Sequence, residues 1–143
     1  MVFWLALAAA TAWLLWYMVR VPGVSYPGEP QPPTPAERSV ADTLRHHVTA
    51  IASREHNLGQ RPALDEAAQY IERALAGYGY TVARQPIETE FGAVHNIEAE
   101  VQGDSRGGEI VLVGAHYDSV AGAPGANDNG SGVAAMLELA RVL

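Results

Sequence analysis

A chain of 143 residues, 48% hydrophobic and 17% charged, has the size of one ordinary domain. It has no cysteine, which excludes a disulfide framework, a thiolate zinc finger, an iron–sulfur cluster and a cysteine nucleophile. Its nine basic residues are all arginine and stand against sixteen acidic ones, for a net charge of −7. A nucleic-acid partner would need a basic stripe to meet its phosphates, so no such partner is expected.

The apolar residues are unevenly spread. Residues 2–19 carry no charge and hold all three tryptophans, Trp4, Trp13 and Trp16. As a helix this run reaches roughly 27 Å, close to the ~30 Å hydrocarbon thickness of a bilayer. Trp4 at one end and Trp13, Trp16 and Tyr17 toward the other fit two interfacial belts. An uninterrupted apolar run on all faces, at the extreme N-terminus and followed by Arg20, argues against a buried core helix. A cleaved signal peptide would show a basic start and a small-x-small site, and Met18-Val19-Arg20-Val21-Pro22 offers none. Residues 1–20 are therefore expected to form an uncleaved membrane anchor. Its orientation is weakly determined, because Arg20 is opposed by the charge of the amino terminus.

Residues 21–37 read as a linker. They hold six of the nine prolines, at 22, 27, 30, 32, 33 and 35, together with Gly23 and Gly28. Such a stretch favours extended polyproline conformations and suits a semi-rigid stalk.

The remainder, 38–143, reads as the folded domain, its first helix signalled just ahead of it. Thr34-Pro35-Ala36-Glu37 forms a capping box, and Val40, Leu44, Val48 and Ile51 follow at helical spacing to about Ala52. Residues 53–62 read as a loop. A second helix is expected over 65–76, with Ala67, Ala68, Ile71 and Leu75 inward and Gly77 as its stop. Strands are expected over 80–87 and 94–101. The run 109–115, centred on Ile110-Val111-Leu112-Val113, reads as a strand buried on both faces in the middle of an α/β sheet. A third helix is expected over 131–143, with Glu138 on its surface. No internal repeat interrupts this order, and the fold class is α/β.

The chemistry collects at the end of the apolar run. His116 and Asp118 are separated by one residue, so in an extended chain they share a side. The carboxyl end of a buried strand is where open α/β sheets hold their sites. Then comes Gly125-Ala126-Asn127-Asp128-Asn129-Gly130-Ser131-Gly132, with Asp128 ten residues past Asp118, and its glycines permit unusual backbone geometry that turns one carboxylate inward. Imidazole and carboxylate oxygen form a donor set that suits zinc. Asp118 would hold the second ring nitrogen of His116. Each element alone has an ordinary reading: a surface histidine, or an Asn-Asp-Asn-Gly turn before a helix. A phosphate loop is excluded, since neither GxGxxG nor a P-loop lysine is present.

Val113-Gly114-Ala115-His116-Tyr117-Asp118-Ser119, followed by Pro124-Gly125-Ala126-Asn127-Asp128-Asn129-Gly130-Ser131-Gly132-Val133, resembles the co-catalytic di-zinc exopeptidases. That family contains bacterial leucyl aminopeptidases, aminopeptidase Y and glutamate carboxypeptidase II, with glutaminyl cyclases as relatives. The resemblance extends back through Asn96-Ile97, and through Ala67-Ala68-Gln69-Tyr70-Ile71 with Gly79-Tyr80-Thr81-Val82. It implies a three-layer mixed-sheet fold, of which 38–143 would be the N-terminal part. It further implies metal ligation by His116 and Asp128, with Asp128 bridging two zinc ions, and a catalytic part for Asp118 in orienting His116. The Asp128–Asn129 peptide would often be cis. Peptides would be the substrate.

The family pattern also needs a later Glu-Glu pair, an Asp ligand and a His ligand. After Asp128 the sole acidic residue is Glu138, and no histidine follows His116. His46, His47, His56 and His95 have no counterpart as ligands in that family. The expectation is the front part of a longer, membrane-tethered enzyme, inactive by itself, with its domain on the exoplasmic (periplasmic or extracellular) side. Two alternatives stay open: a metal-free, anchored binding module of the same fold, and an acyltransferase like glutaminyl cyclase. Substrate preference and further spans are not written in these residues.

Overall fold

A computed structural model describes residues 2–143, in two units that divide after Pro32. The first unit holds α1, Val2–Val19, an 18-residue helix with every side chain exposed and long and apolar enough to cross a membrane. After it the chain is without regular structure up to Thr34.

The second unit opens with α2, Pro35–Ile51. Its start is built as the capping box requires: the Glu37 N–H donates to Thr34 Oγ1 at 3.2 Å, and the Thr34 N–H donates to Glu37 Oε2 at 2.6 Å. Proline at the first helical position costs no hydrogen bond, because that N–H has no partner in any helix. The inner face of α2 differs from the expected stripe. Val40 is exposed, Leu44 and Val48 are half-buried, and the buried residues are His47 and Ile51.

The next helix, α3, spans Arg61–Gly77 and begins four residues earlier than its apolar periodicity suggested. Pro62 lies in its first turn rather than in a loop. The stop is also displaced from Gly77. Gly79 takes the left-handed φ of 98°, its N–H donates to the Ala76 carbonyl, and the Tyr80 N–H donates back to the Leu75 carbonyl. This is a Schellman closure, and its hydrophobic contact is Tyr80 with Leu75, both at the core.

Strands β1 (Val82–Ile87) and β2 (Val94–Ala99) pair antiparallel, with Val82 opposite Ala99 and Ile87 opposite Val94. Pro86, which has no N–H to offer a ladder, sits in β1, whose outer edge is unpaired among the described residues. The last helix, α4, spans Ser131–Val142. The core lies between helices: Ile51 of α2, Ala67, Ile71 and Leu75 of α3, and Val133 and Leu137 of α4. Val82, Ile97 and Ala99 of the hairpin pack on its margin.

The buried strand expected over 109–115 is not formed. Ile110, Val111 and Leu112 are 91%, 87% and 92% exposed, and no ladder includes them. A strand becomes central only when neighbours pair with both of its edges, and the one sheet among the described residues is the β1–β2 hairpin. The architecture is thus a mixed helix and strand unit, with three helices around a core and one antiparallel hairpin beside it.

Candidate functional site

Side chains alternate along 115–119. Ala115 and Tyr117 pack on the core margin and Ser119 is buried, while His116 and Asp118 face solvent. The two-residue spacing read from the sequence therefore does place the imidazole and the carboxylate on one side. The Tyr117 hydroxyl donates to the His95 carbonyl at 2.8 Å and ties this segment to β2.

The loop before α4 delivers the second carboxylate. Gly125 adopts φ 71°, and the Gly130 N–H returns to its carbonyl at 2.8 Å, closing a tight turn over Ala126–Gly130. Within the turn Asp128 leaves helical geometry, at φ −125° and ψ 89°, and the Asp128–Asn129 peptide is cis. The Asn129 side chain then accepts the Gly132 N–H at 3.1 Å, and the Ser131 hydroxyl donates to the Asn127 carbonyl at 2.9 Å. The first of these satisfies an N–H left without a partner at the start of α4, and the second ties Ser131 back to the loop. Asp128 sits just ahead of that helix, where the dipole favours negative charge.

The outcome is a row of three side chains with His116 in the middle. Its Nε2 lies 2.9 Å from Asp128 Oδ1, and its Nδ1 lies 3.2 Å from Asp118 Oδ1. The Asp118 carbonyl is also 3.3 Å from Nδ1. Partial burial works against the charged ring, but the hydrogen bond to Asp128, the Asp118 carbonyl and both carboxylates outweigh it and hold His116 above its ordinary value. All three side chains are more than half exposed, so this is an open site.

The donor set can be tested against a metal ion. With a proton on Nδ1 shared with Asp118, Nε2 offers a lone pair toward Asp128, and the two groups then need a cation between them. A proton meets that need, and so does a divalent ion. Two donors of a tetrahedral zinc, each at about 2.0–2.2 Å, stand roughly 3.3 Å apart, so the pair would open by a few tenths of an ångström. His116 and Asp128 thus fit as two ligands. Among the described residues no group of three or more His, Cys, Asp or Glu is gathered to complete a site.

Glu138 departs from its expected surface position. It is buried, and Arg141 donates to both of its oxygens, at 2.9 Å and 2.7 Å. Those bonds hold its carboxyl below the usual range, so it is a poor proton acceptor. His47 is buried beside it, 2.7 Å from the Tyr70 hydroxyl and 3.3 Å from that of Tyr78. Neither His47 nor His95 reaches the His116 row. His46 is exposed on α2. His56, in the stretch read as a loop, is buried and bonded through its backbone to Ser119. Sequence reading missed that pair, since 63 positions separate its members and no spacing rule joins them.

Residues 96–143 match the pattern of Peptidase family M28, from within β2 through the His116 segment and the Asp128 loop to the end of the chain. The chain is 71% identical over 35 residues to aminopeptidase YwaD of Bacillus subtilis, covering 24% of this chain and 8% of that protein. It is 38% identical over 88 residues to YfbL of Escherichia coli, covering 56% and 27%. It is 30% identical over 113 residues to leupeptin-inactivating enzyme 1 of Streptomyces exfoliatus, covering 76% and 25%. The chain thus spans about a quarter or less of the length of these relatives. The resemblance to peptidases that was read from the motif around His116 and Asp128 is shown.

Proposed function

From the likeness to Peptidase family M28 over 96–143, we propose that these residues supply the first part of a zinc-dependent aminopeptidase site. The observation that carries the reading is His116 held between Asp118 on Nδ1 and Asp128 on Nε2. In this reading Asp118 accepts the Nδ1 proton and fixes the tautomer, so that Nε2 presents its lone pair. Asp128, with two carboxylate oxygens, is suited to serve two ions. When bound, zinc supplies activation of water and stabilisation of a tetrahedral oxyanion.

The general base is another matter. Glu138 is the sole carboxylate after Asp128, and it is buried and committed to Arg141. With Glu138 committed to Arg141, the 143 residues by themselves are expected to release no p-nitroaniline from Leu-p-nitroanilide in the presence of zinc. Release that His116→Ala abolishes would overturn this. Joined to a chain that supplies a base, these residues are expected to give aminopeptidase activity removed by a chelator, restored by zinc and lost in His116→Ala. Activity indifferent to that substitution would defeat the reading.

Helix α1 serves, in the same proposal, as a membrane anchor, with the proline-rich stretch as stalk and the domain on the exoplasmic side. Its support is an apolar length that matches a bilayer. Alkaline phosphatase fused after Leu143 is expected to be active, and an inactive fusion would contradict the placement.

A further inference from the structure

Ser119, one residue after Asp118, is 4% exposed, and its partner His56 is 2% exposed. The two are joined by a reciprocal pair of hydrogen bonds. The His56 N–H donates to Ser119 Oγ at 3.0 Å, and the Ser119 N–H donates to the His56 carbonyl at 2.8 Å. The imidazole of His56 lies 2.9 Å, through Nδ1, from the Arg54 carbonyl, which closes the turn that aims both backbone groups at Ser119.

On its other side Ser119 touches the loop that carries Asp128. A Cβ on Gly125 would stand 2.9 Å from the Ser119 Cβ, so the loop backbone lies directly on this serine. A Cβ on Gly130 would meet Ala52 at 3.5 Å, which seats the far end of the same loop on the end of α2. One residue after Asp118, the chain is therefore pinned to the 53–57 turn, and the Asp128 loop rests on the pin.

We infer that Ser119, clasped by the His56 backbone, is the positioning residue that sets the distance between His116 and Asp128. The inference deepens the zinc-site reading and rests on it for its purpose, but the clasp itself is a property of the metal-free chain. A side chain at 119 must be small, to let Gly125 approach, and must carry an acceptor for the buried His56 N–H. Serine meets both needs; alanine leaves the N–H without a partner and lets the turn drift.

The test is long-range nitrogen-15 NMR of the His116 ring in the metal-free 143-residue chain. Asp128→Asn, which weakens the acceptor, calibrates the signal. Ser119→Ala is expected to move the His116 Nε2 shift at least half as far as Asp128→Asn does. Circular dichroism checks that each variant is folded. If Ser119→Ala does not fold, Ser119→Cys, with similar shape and a weaker acceptor, must move the signal in the same direction. A folded Ser119→Ala or Ser119→Cys with an unmoved His116 signal overturns the inference. Adding zinc to the wild type separates the two claims. A His116 ring indifferent to zinc sinks the metal reading, whatever Ser119→Ala has shown.

Discussion

Two apolar stretches of this chain meet opposite fates. Ile71 and Leu75 of α3 are buried against Val133 and Leu137 of α4, the last two with no exposed surface at all. Ile110, Val111 and Leu112, equally apolar and more strongly strand-forming, lie almost wholly in solvent. Composition does not separate them; partners do. A helix completes its backbone hydrogen bonds within itself and needs only a second surface to bury its stripe. A strand needs neighbours on its edges before its side chains can be covered, and here the sheet is two strands wide.

The sharpest way to break that contrast is to hollow the helical core. Leu137→Ala is expected to cost about 2–5 kcal/mol in denaturant unfolding, through lost burial and the cavity left behind. A loss below 1 kcal/mol would mean that α4 is not packed as described. Next in size is Gly125→Ala, which adds a Cβ at φ 71° against Ser119. It is expected to cost about 1–3 kcal/mol and to disturb the His116 ring as well as stability, which Leu137→Ala need not do.

The polar part of the helical core supplies a pH test. Burial is the chief cause that holds His47 below its ordinary value, with His46 adding to it and Glu138 opposing. The folded state then binds fewer protons than the unfolded one below about pH 6.5, so stability is full above that pH and falls as the pH drops through the window beneath it. Thermal melts between pH 7 and 5 are expected to show a shallower loss in His47→Gln than in wild type, and identical slopes would contradict the placement of His47. The smallest effect belongs to the exposed run. Val111→Asp is expected to change folding stability by no more than about 0.5 kcal/mol, and a large loss would show that 109–115 is buried after all.

The same contrast explains which features were legible in the sequence. The Thr34 capping box, the inner face of α3 and the placing of His116 and Asp118 on one side are local patterns, and local backbone geometry enforces them. The strand over 109–115, the burial of Glu138 and the His56–Ser119 clasp depend on what comes alongside from far away in the chain. Glu138 looked like a surface residue because its flanking leucines are apolar, yet Arg141 one turn on supplies the charge that lets it go inside. The shift from Gly77 to Gly79 at the end of α3 is smaller in kind: two glycines were available, and the one that closes the helix is the one after which Tyr80 reaches back to Leu75.

We propose above that His116 and Asp128 hold zinc. It is tested most directly by titrating zinc into the 143-residue chain while following all five histidine rings by nitrogen-15 NMR. The account predicts that the His116 Nε2 signal moves first and saturably, that Asp128→Asn weakens the response at least tenfold, and that buried His47 and His56 stay still. Zinc that leaves His116 unmoved while it shifts exposed His46, or a response unchanged in Asp128→Asn, would contradict it.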